Sequence, residues 1–158
     1  MKPILDACCG SRMFWFDKQN PDVVFNDIRN ENHILCDGRM LNINPDIQAD
    51  FTNLPFPDDS FYLVVFDPPH LIHAGEGSWL AKKYGVLPSD WKKLIKDGFC
   101  ECLRCLKTNG TLVFKWSDEQ IPFSEIKKIL PIKPLFGDQR GKTRWVVFMK
   151  KPDGWEEE

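Results

Sequence analysis

Asp67-Pro68-Pro69-His70 is the stretch of this 158-residue sequence best equipped for chemistry. Two successive prolines hold φ near one value and remove two N–H donors. The Asp67 carboxylate and the Pro68 carbonyl can then face one amino group, both as acceptors. An amino group on a heteroaromatic ring is a poor nucleophile because its lone pair is delocalised into the ring. Two aligned acceptors favour the pyramidal form, whose lone pair can attack an electrophilic carbon in line. Most of the rate would come from positioning. His70 adds a ring that can stack on a planar acceptor and can also protonate. The plain alternative is that Asp-Pro-Pro only turns the chain after a strand. Taken alone, the motif leaves the two readings about even.

Other carboxylates fall in a pattern. Asp6, Asp27 and Asp67 each end a predicted strand, and Asp50 stands just before Phe51-Thr52-Asn53-Leu54-Pro55-Phe56. In open parallel sheets, ligands bind outside the carboxyl ends of the strands. Carboxylates there can accept hydrogen bonds from ribose hydroxyls, an amino group or a cation. Any one Asp is explained as well by the liking of Asp for strand exits and caps. The set in this order favours a site. Cys100, Cys102 and Cys105 raise the question of zinc. They lie on a predicted amphipathic helix with no second ligand pair downstream, so buried thiols are the expectation.

These residues need elements to hold them. Short apolar runs alternate with helix-like segments, which predicts an α/β fold with a mostly parallel sheet. Strands are expected at Pro3 to Cys8, Val23 to Asn26, Phe61 to Phe66 and Thr111 to Trp116. A further short one is expected near His33 to Cys36 or Ile47 to Ala49. Phe61 to Phe66 is an unbroken apolar run, as in a central strand buried on both faces. Helices are expected at Met13 to Lys18, Ser89 to Leu106 and Phe123 to Leu130. Ser89 is the candidate cap of the longest, and Asn109-Gly110 its end. Ile132 to Phe136 and Trp145 to Met149, joined by residues 137–141, predict an antiparallel hairpin at the sheet edge. Leu71 to Leu87 is long for a connection and is expected to be a mobile loop over the active site. Trp79 and Tyr84 are its candidates for holding an acceptor, and a surface Ω-loop is the alternative.

With these residues in view, the sequence resembles a class I S-adenosylmethionine (SAM) dependent methyltransferase from Leu5 to about Lys150. Leu5-Asp6-Ala7-Cys8-Cys9-Gly10 is similar to that family's first motif. The resemblance implies that Asp6, Ala7, Cys8 and Gly10 hold the cofactor, the backbone at Gly10 passing under its methionine part. Asp27 matches the ribose-binding acid. Asp50 and Phe51 match the position that meets the adenine. Ser11-Arg12 stand where a second glycine is usual, and Arg12 is the candidate to reach the SAM carboxylate. Asp67-Pro68-Pro69-His70 resembles the Asp-Pro-Pro-Tyr motif of enzymes that methylate adenine N6 or cytosine N4. This implies a catalytic role for Asp67, Pro68, Pro69 and His70, with histidine where an aromatic is usual. With the first motif upstream, the catalytic reading of Asp-Pro-Pro is ahead of the turn. Lys115 in Phe114-Lys115-Trp116-Ser117-Asp118 is a candidate to border the acceptor pocket, while Trp116 reads as core. That stretch, together with Pro134-Leu135-Phe136-Gly137 and Lys142-Thr143-Arg144-Trp145, is also similar to small prophage-type methyltransferases.

The formal net charge of −2 carries no sign of nucleic-acid affinity. The last third nonetheless concentrates Lys127, Lys128, Lys133, Arg140, Lys142, Arg144, Lys150 and Lys151. That is either a phosphate-facing surface or a solvated basic face. No signal-peptide-like run opens the sequence and no apolar run approaches the roughly 20 residues of a membrane span. The expectation is therefore one Rossmann-like domain over residues 1–151, an acidic tail at 152–158, and a reduced, cytoplasmic setting without a membrane partner. The expected activity is SAM-dependent methyl transfer to an exocyclic amino nitrogen of a nucleobase in DNA or RNA, with no metal. With no segment left for target recognition, specificity would be weak, would be limited to single strands or RNA, or would come from a partner. The alternatives are a small-molecule or protein acceptor, or a non-catalytic SAM-binding module.

Overall fold

The computed structural model describes residues 1–75 and 77–152. The acidic tail, apart from its first residue, Pro152, lies outside the described residues. Seven strands form one sheet in the order β5-β2-β1-β6-β7-β9-β8. They are β1 (Ile4–Asp6), β2 (Val23–Asp27), β5 (Ile47–Gln48), β6 (Phe61–Phe66), β7 (Leu106–Ser117), β8 (Phe136–Arg140) and β9 (Thr143–Met149). The pairs from β5 through β7 are parallel, and β9 and β8 are antiparallel. A small antiparallel pair, β3 (Glu31–Ile34) and β4 (Met40–Ile43), stands apart. The expected Rossmann-like sheet with an antiparallel edge is present.

Period-2 alternation sends neighbouring residues to opposite faces. Leu5, Val64, Phe66, Leu112, Phe114 and Phe148 enter the main core with Ile95, Phe99 and Cys102 of α2 (Trp91–Cys105) and Ile126 of α3 (Phe123–Ile129). Val23 and Phe25 form a smaller cluster with Cys9, against which Ile4 and Trp15 pack. Cys102 and Cys105 are buried in the main core. Arg104, on the polar side of α2, bonds Glu101, Asp58 and the carbonyls of Leu54 and Phe56. It thereby straps the segment before β6 to the helix.

The chain turns from β1 to β2 on one side and returns to β6 on the other. The strand order therefore reverses between β1 and β6. In open α/β sheets the crevice outside such a switch point is where ligands bind. Asp6 ends β1 and Asp67 follows β6, in register through Asp6 opposite Val65.

Several expectations are corrected. Met13 to Lys18 is a run of turns, not a helix. Arg12 has φ of 60°, outside the right-handed helical region, and Phe16 faces solvent while Phe14 and Trp15 stack on each other. Both candidate short strands exist, as β3 and β5, and β4 was not foreseen. The helix expected from Ser89 starts at Trp91 with Asp90 as N-cap, and no side chain caps it. Asn109-Gly110 does not end that helix but lies within β7. The edge hairpin slides forward: β8 is Phe136–Arg140, not Ile132 to Phe136. The turn is at Gly141, with φ of 58°, a conformation that suits glycine. The long connection holds a helix, α1 (Trp79–Tyr84), and is closed at its base by Leu87 N–H donating to Leu71 O at 2.7 Å. No helix among the described residues is long and apolar enough to cross a membrane.

Candidate active site

Two adjoining hollows open at the switch point. The first, with a cavity volume of about 30 Å³, is lined by Cys8, Gly10, Phe14, Arg29, Asp67, Pro68, Lys83, Tyr84 and Lys115, among others. The second, with a cavity volume of about 120 Å³, is lined by Asp67, His70, Tyr84, Lys115, Trp116, Ser117 and Thr143. Asp67, Tyr84 and Lys115 line both and so form the wall between them.

Strand geometry sets this wall. Phe61 to Phe66 is held between β1 and β7, so the turn at Pro68-Pro69 begins from a rigid edge. Gly85, at the end of α1 with φ of 77°, approaches Pro69 so closely that a Cβ would lie 3.4 Å from its ring. That contact sets Tyr84 against the motif. His70 sits between two rings, 5.2 Å from Tyr84 and 6.3 Å from Trp116 by centroids. The Lys115 ammonium is 3.8 Å from the Asp67 carboxylate and lies over the rings of Phe14 and Trp145.

The electrostatics are those of carboxylates drawn out of water. Burial pushes the Asp67 pKa up to about 6 against the pull of Lys115, and Asp27 raises it further. Burial, with the charges of Asp67 and Asp27, pushes Asp6 up to about 7, although the Trp15 indole N–H donates to it at 2.7 Å. Burial and the Lys115 charge lower the His70 pKa.

The structure brings Cys8, Gly10, Asp67, Pro68, His70, Tyr84 and Lys115 together around the two hollows. Asp6 and Ala7 lie buried directly behind the first. Asp27 is also buried behind it, and its carboxylate accepts from Gly10 N–H at 2.8 Å and Arg29 N–H at 2.9 Å. Pro69 packs on α1. Arg12 is not in the first hollow. Its guanidinium donates to Lys18 O and Asn44 O and lies 3.9 Å over Phe25, so it is committed away from the Asp67 wall. Asp50 is an exposed turn residue accepting from Thr52, and Phe51 is a core ring against Phe66. Neither lines the hollows. Trp79 lies on the exposed side of α1 with the Lys83 ammonium near its ring.

Arg29 escaped the sequence reading. It reaches from Asp27 across to the carbonyls of Lys82 and Lys83, tying α1 over the first hollow. Its position two residues after a strand-ending acid was the available signal. Ser117 and Thr143 carried none, because the register of β9 on β7 places them opposite each other.

The chain matches no family model and no curated protein. It is similar in structure to the PH0226 protein of Pyrococcus horikoshii, at 15% identity and a TM-score of 0.54, over 94% of this chain and 83% of that one. It is also similar to the HI0767 protein of Haemophilus influenzae, provisionally described as a methylase. There the identity is 14% and the TM-score 0.52, over 96% of this chain and 88% of that one. At such identities the likeness is one of fold: this chain has the Rossmann-like α/β fold found in class I methyltransferases.

Proposed function

We propose that this chain is a methyltransferase that moves the methyl group of SAM to an exocyclic amino nitrogen of a nucleobase in DNA or RNA. The observation that carries the reading is the placement of Asp67 and its neighbours as the shared wall of two hollows at the switch point. One hollow would take the cofactor and the other the acceptor, with the reacting atoms meeting at the wall. The methylase description of the structurally similar Haemophilus influenzae protein fits this reading.

The first hollow suits SAM chemically. Asp27 stands directly behind its lining residue Gly10, and a carboxylate there favours a ligand carrying a sulfonium and an ammonium. Gly10, with φ of 51°, holds a backbone conformation that suits glycine at the floor of the hollow. Gly10, Cys8 and Asp6 would hold the methionine part, and Asp27 the ribose, with Arg29 yielding its bond to that carboxylate. The bound cofactor supplies an electrophilic methyl carbon.

The chain's residues do the rest. The Asp67 carboxylate and Pro68 carbonyl accept the two amino N–H bonds and aim the nitrogen lone pair at the wall. His70 and Tyr84 hold the acceptor ring in plane. Lys115 keeps Asp67 ionised, and its raised pKa suits that carboxylate to receive the proton the nitrogen loses.

The test is formation of S-adenosylhomocysteine on single-stranded DNA or RNA, with SAM affinity measured by calorimetry. Asp67→Asn should lower turnover at least about a hundredfold while SAM affinity stays within about twofold of wild type. An unchanged rate rejects the role of Asp67. Asp27→Ala should weaken SAM binding, and an unaltered Kd counts against the cofactor assignment. Methyl transfer to a metabolite or protein pool, with none to nucleic acid, rejects the nucleobase acceptor.

A further inference from the structure

The first hollow, as it stands, is too small for the cofactor assigned to it. Its volume of about 30 Å³ holds a water or two, whereas small-molecule sites run to roughly 300 Å³ or more. One of its walls must therefore move. β1 and β6 are each paired on both edges, which fixes the strand ends beneath Cys8 and Asp67. α1 is held far less, since none of its residues is buried. Arg29 keeps it in place. Its guanidinium donates to Lys82 O at 2.7 Å and to Lys83 O at 3.3 Å, and its Nε lies 3.4 Å from Asp27 Oδ1. This strap crosses the side of Gly10 where a Cβ would point: such an atom would lie 3.9 Å from both Arg29 Nη2 and Lys83 O. A ligand seated there takes the place of the strap. A larger cavity of about 490 Å³ adjoins the hollow, and the two share Ser11, Met13 and Lys83. Of that partition, Lys83 is the part carried by α1.

We infer that Arg29 is a latch which the cofactor releases: a ribose hydroxyl takes Asp27 Oδ1, the strap to α1 breaks, and the first hollow opens into the larger cavity. The inference rests on the reading of the first hollow as the SAM site, and it adds an order of binding. Asp27 is buried and its Oδ2 already accepts from Gly10 N–H, so a hydroxyl reaching Oδ1 competes with Arg29. Only 18% of the Arg29 side chain is exposed, so it depends on that carboxylate to offset its charge. Once the carboxylate is taken, the guanidinium withdraws to water and leaves Lys82 and Lys83. Tyr84 of α1 also lines the second hollow, so the same movement widens the acceptor pocket. Cofactor therefore binds before acceptor, and each strengthens the binding of the other.

The experiment follows hydrogen exchange of peptides covering α1 by mass spectrometry, with and without ligand, beside SAM binding by calorimetry. Saturating SAM should speed exchange in α1 about tenfold, the worth of one or two net hydrogen bonds, and leave β6 protected. Arg29→Lys keeps a cation beside Asp27 but lacks the planar fork that spans both carbonyls. Its α1 should exchange fast without ligand, and it should bind SAM roughly three- to tenfold tighter because the closed state is less populated. Adenosine carries the ribose hydroxyls without a methyl donor and should free α1, whereas 2′,3′-dideoxyadenosine should not. Exchange in α1 that slows or stays constant with SAM and with adenosine overturns the inference, as does Arg29→Lys behaving as wild type. Release of α1 by adenosine in a protein that binds no SAM refutes the methyltransferase reading and leaves the latch standing.

Discussion

At the scale of single residues, the chemistry turns on Asp67 and the cation beside it. A carboxylate that must accept amino hydrogens works when ionised, and burial has moved its pKa to about 6. Turnover should therefore fall as the pH drops through about 6, measured as initial rates over a pH series. Lys115 opposes the effect of burial, so Lys115→Met should move this acid limb to higher pH. A limb that stays in place would show that Lys115 does not set the charge of Asp67. Asp67, Pro68 and His70 were legible because Asp-Pro-Pro restricts its own backbone. Tyr84 and Lys115 were legible as types near the motif. Arg12 was misplaced because its reach depends on Asn44 and Phe25, which only folding brings beside it.

At the scale of elements, α2 shows how packing overrules local preference. Gly98 lies inside the helix, where alanine would ordinarily be the better residue by about 1 kcal/mol. Here a Cβ would sit 2.4 Å from Phe51 Cδ2 and 2.9 Å from Phe66 Cζ. Gly98→Ala should therefore destabilise the fold by about 1–2 kcal/mol, seen as a shifted midpoint in denaturant. Turnover should fall with it, since Phe66 immediately precedes Asp67. A more stable variant would refute the packing account. The same logic explains the corrected elements. Phe14 and Trp15 look helical in sequence but stack on each other within a run of turns and reach Trp145 and Phe25. The β8 strand moved forward because Gly137 fits against the Trp145 carbonyl, where a Cβ would lie 2.6 Å away.

At the scale of the whole molecule, the cleft costs stability. Asp6 is fully buried, and its pKa rises from 3.8 to about 7 on folding. A raised carboxylate pKa means that the folded state holds the proton more tightly. The stability it contributes is complete below the unfolded value and is lost as pH rises through about 7. Asp6→Asn, which keeps an acceptor for Trp15, should raise the Tm at pH 8 by about 4 °C. It should bring no gain at pH 5, where the wild-type carboxyl is itself protonated. Equal shifts at both values would disprove the linkage.

By itself the sequence determined the parallel sheet, the strand-ending acids, the buried central strand and the rigid Asp-Pro-Pro turn. Each of these is written in local chemistry: an apolar run, a period of two, a pair of fixed φ angles. Only the tertiary structure decided which carboxylates share a cleft, that Arg29 rather than Arg12 reaches it, and that Asp67 walls two hollows at once. Those are contacts between residues far apart in the chain. Their partners are chosen by strand order and register, which no short stretch of sequence contains.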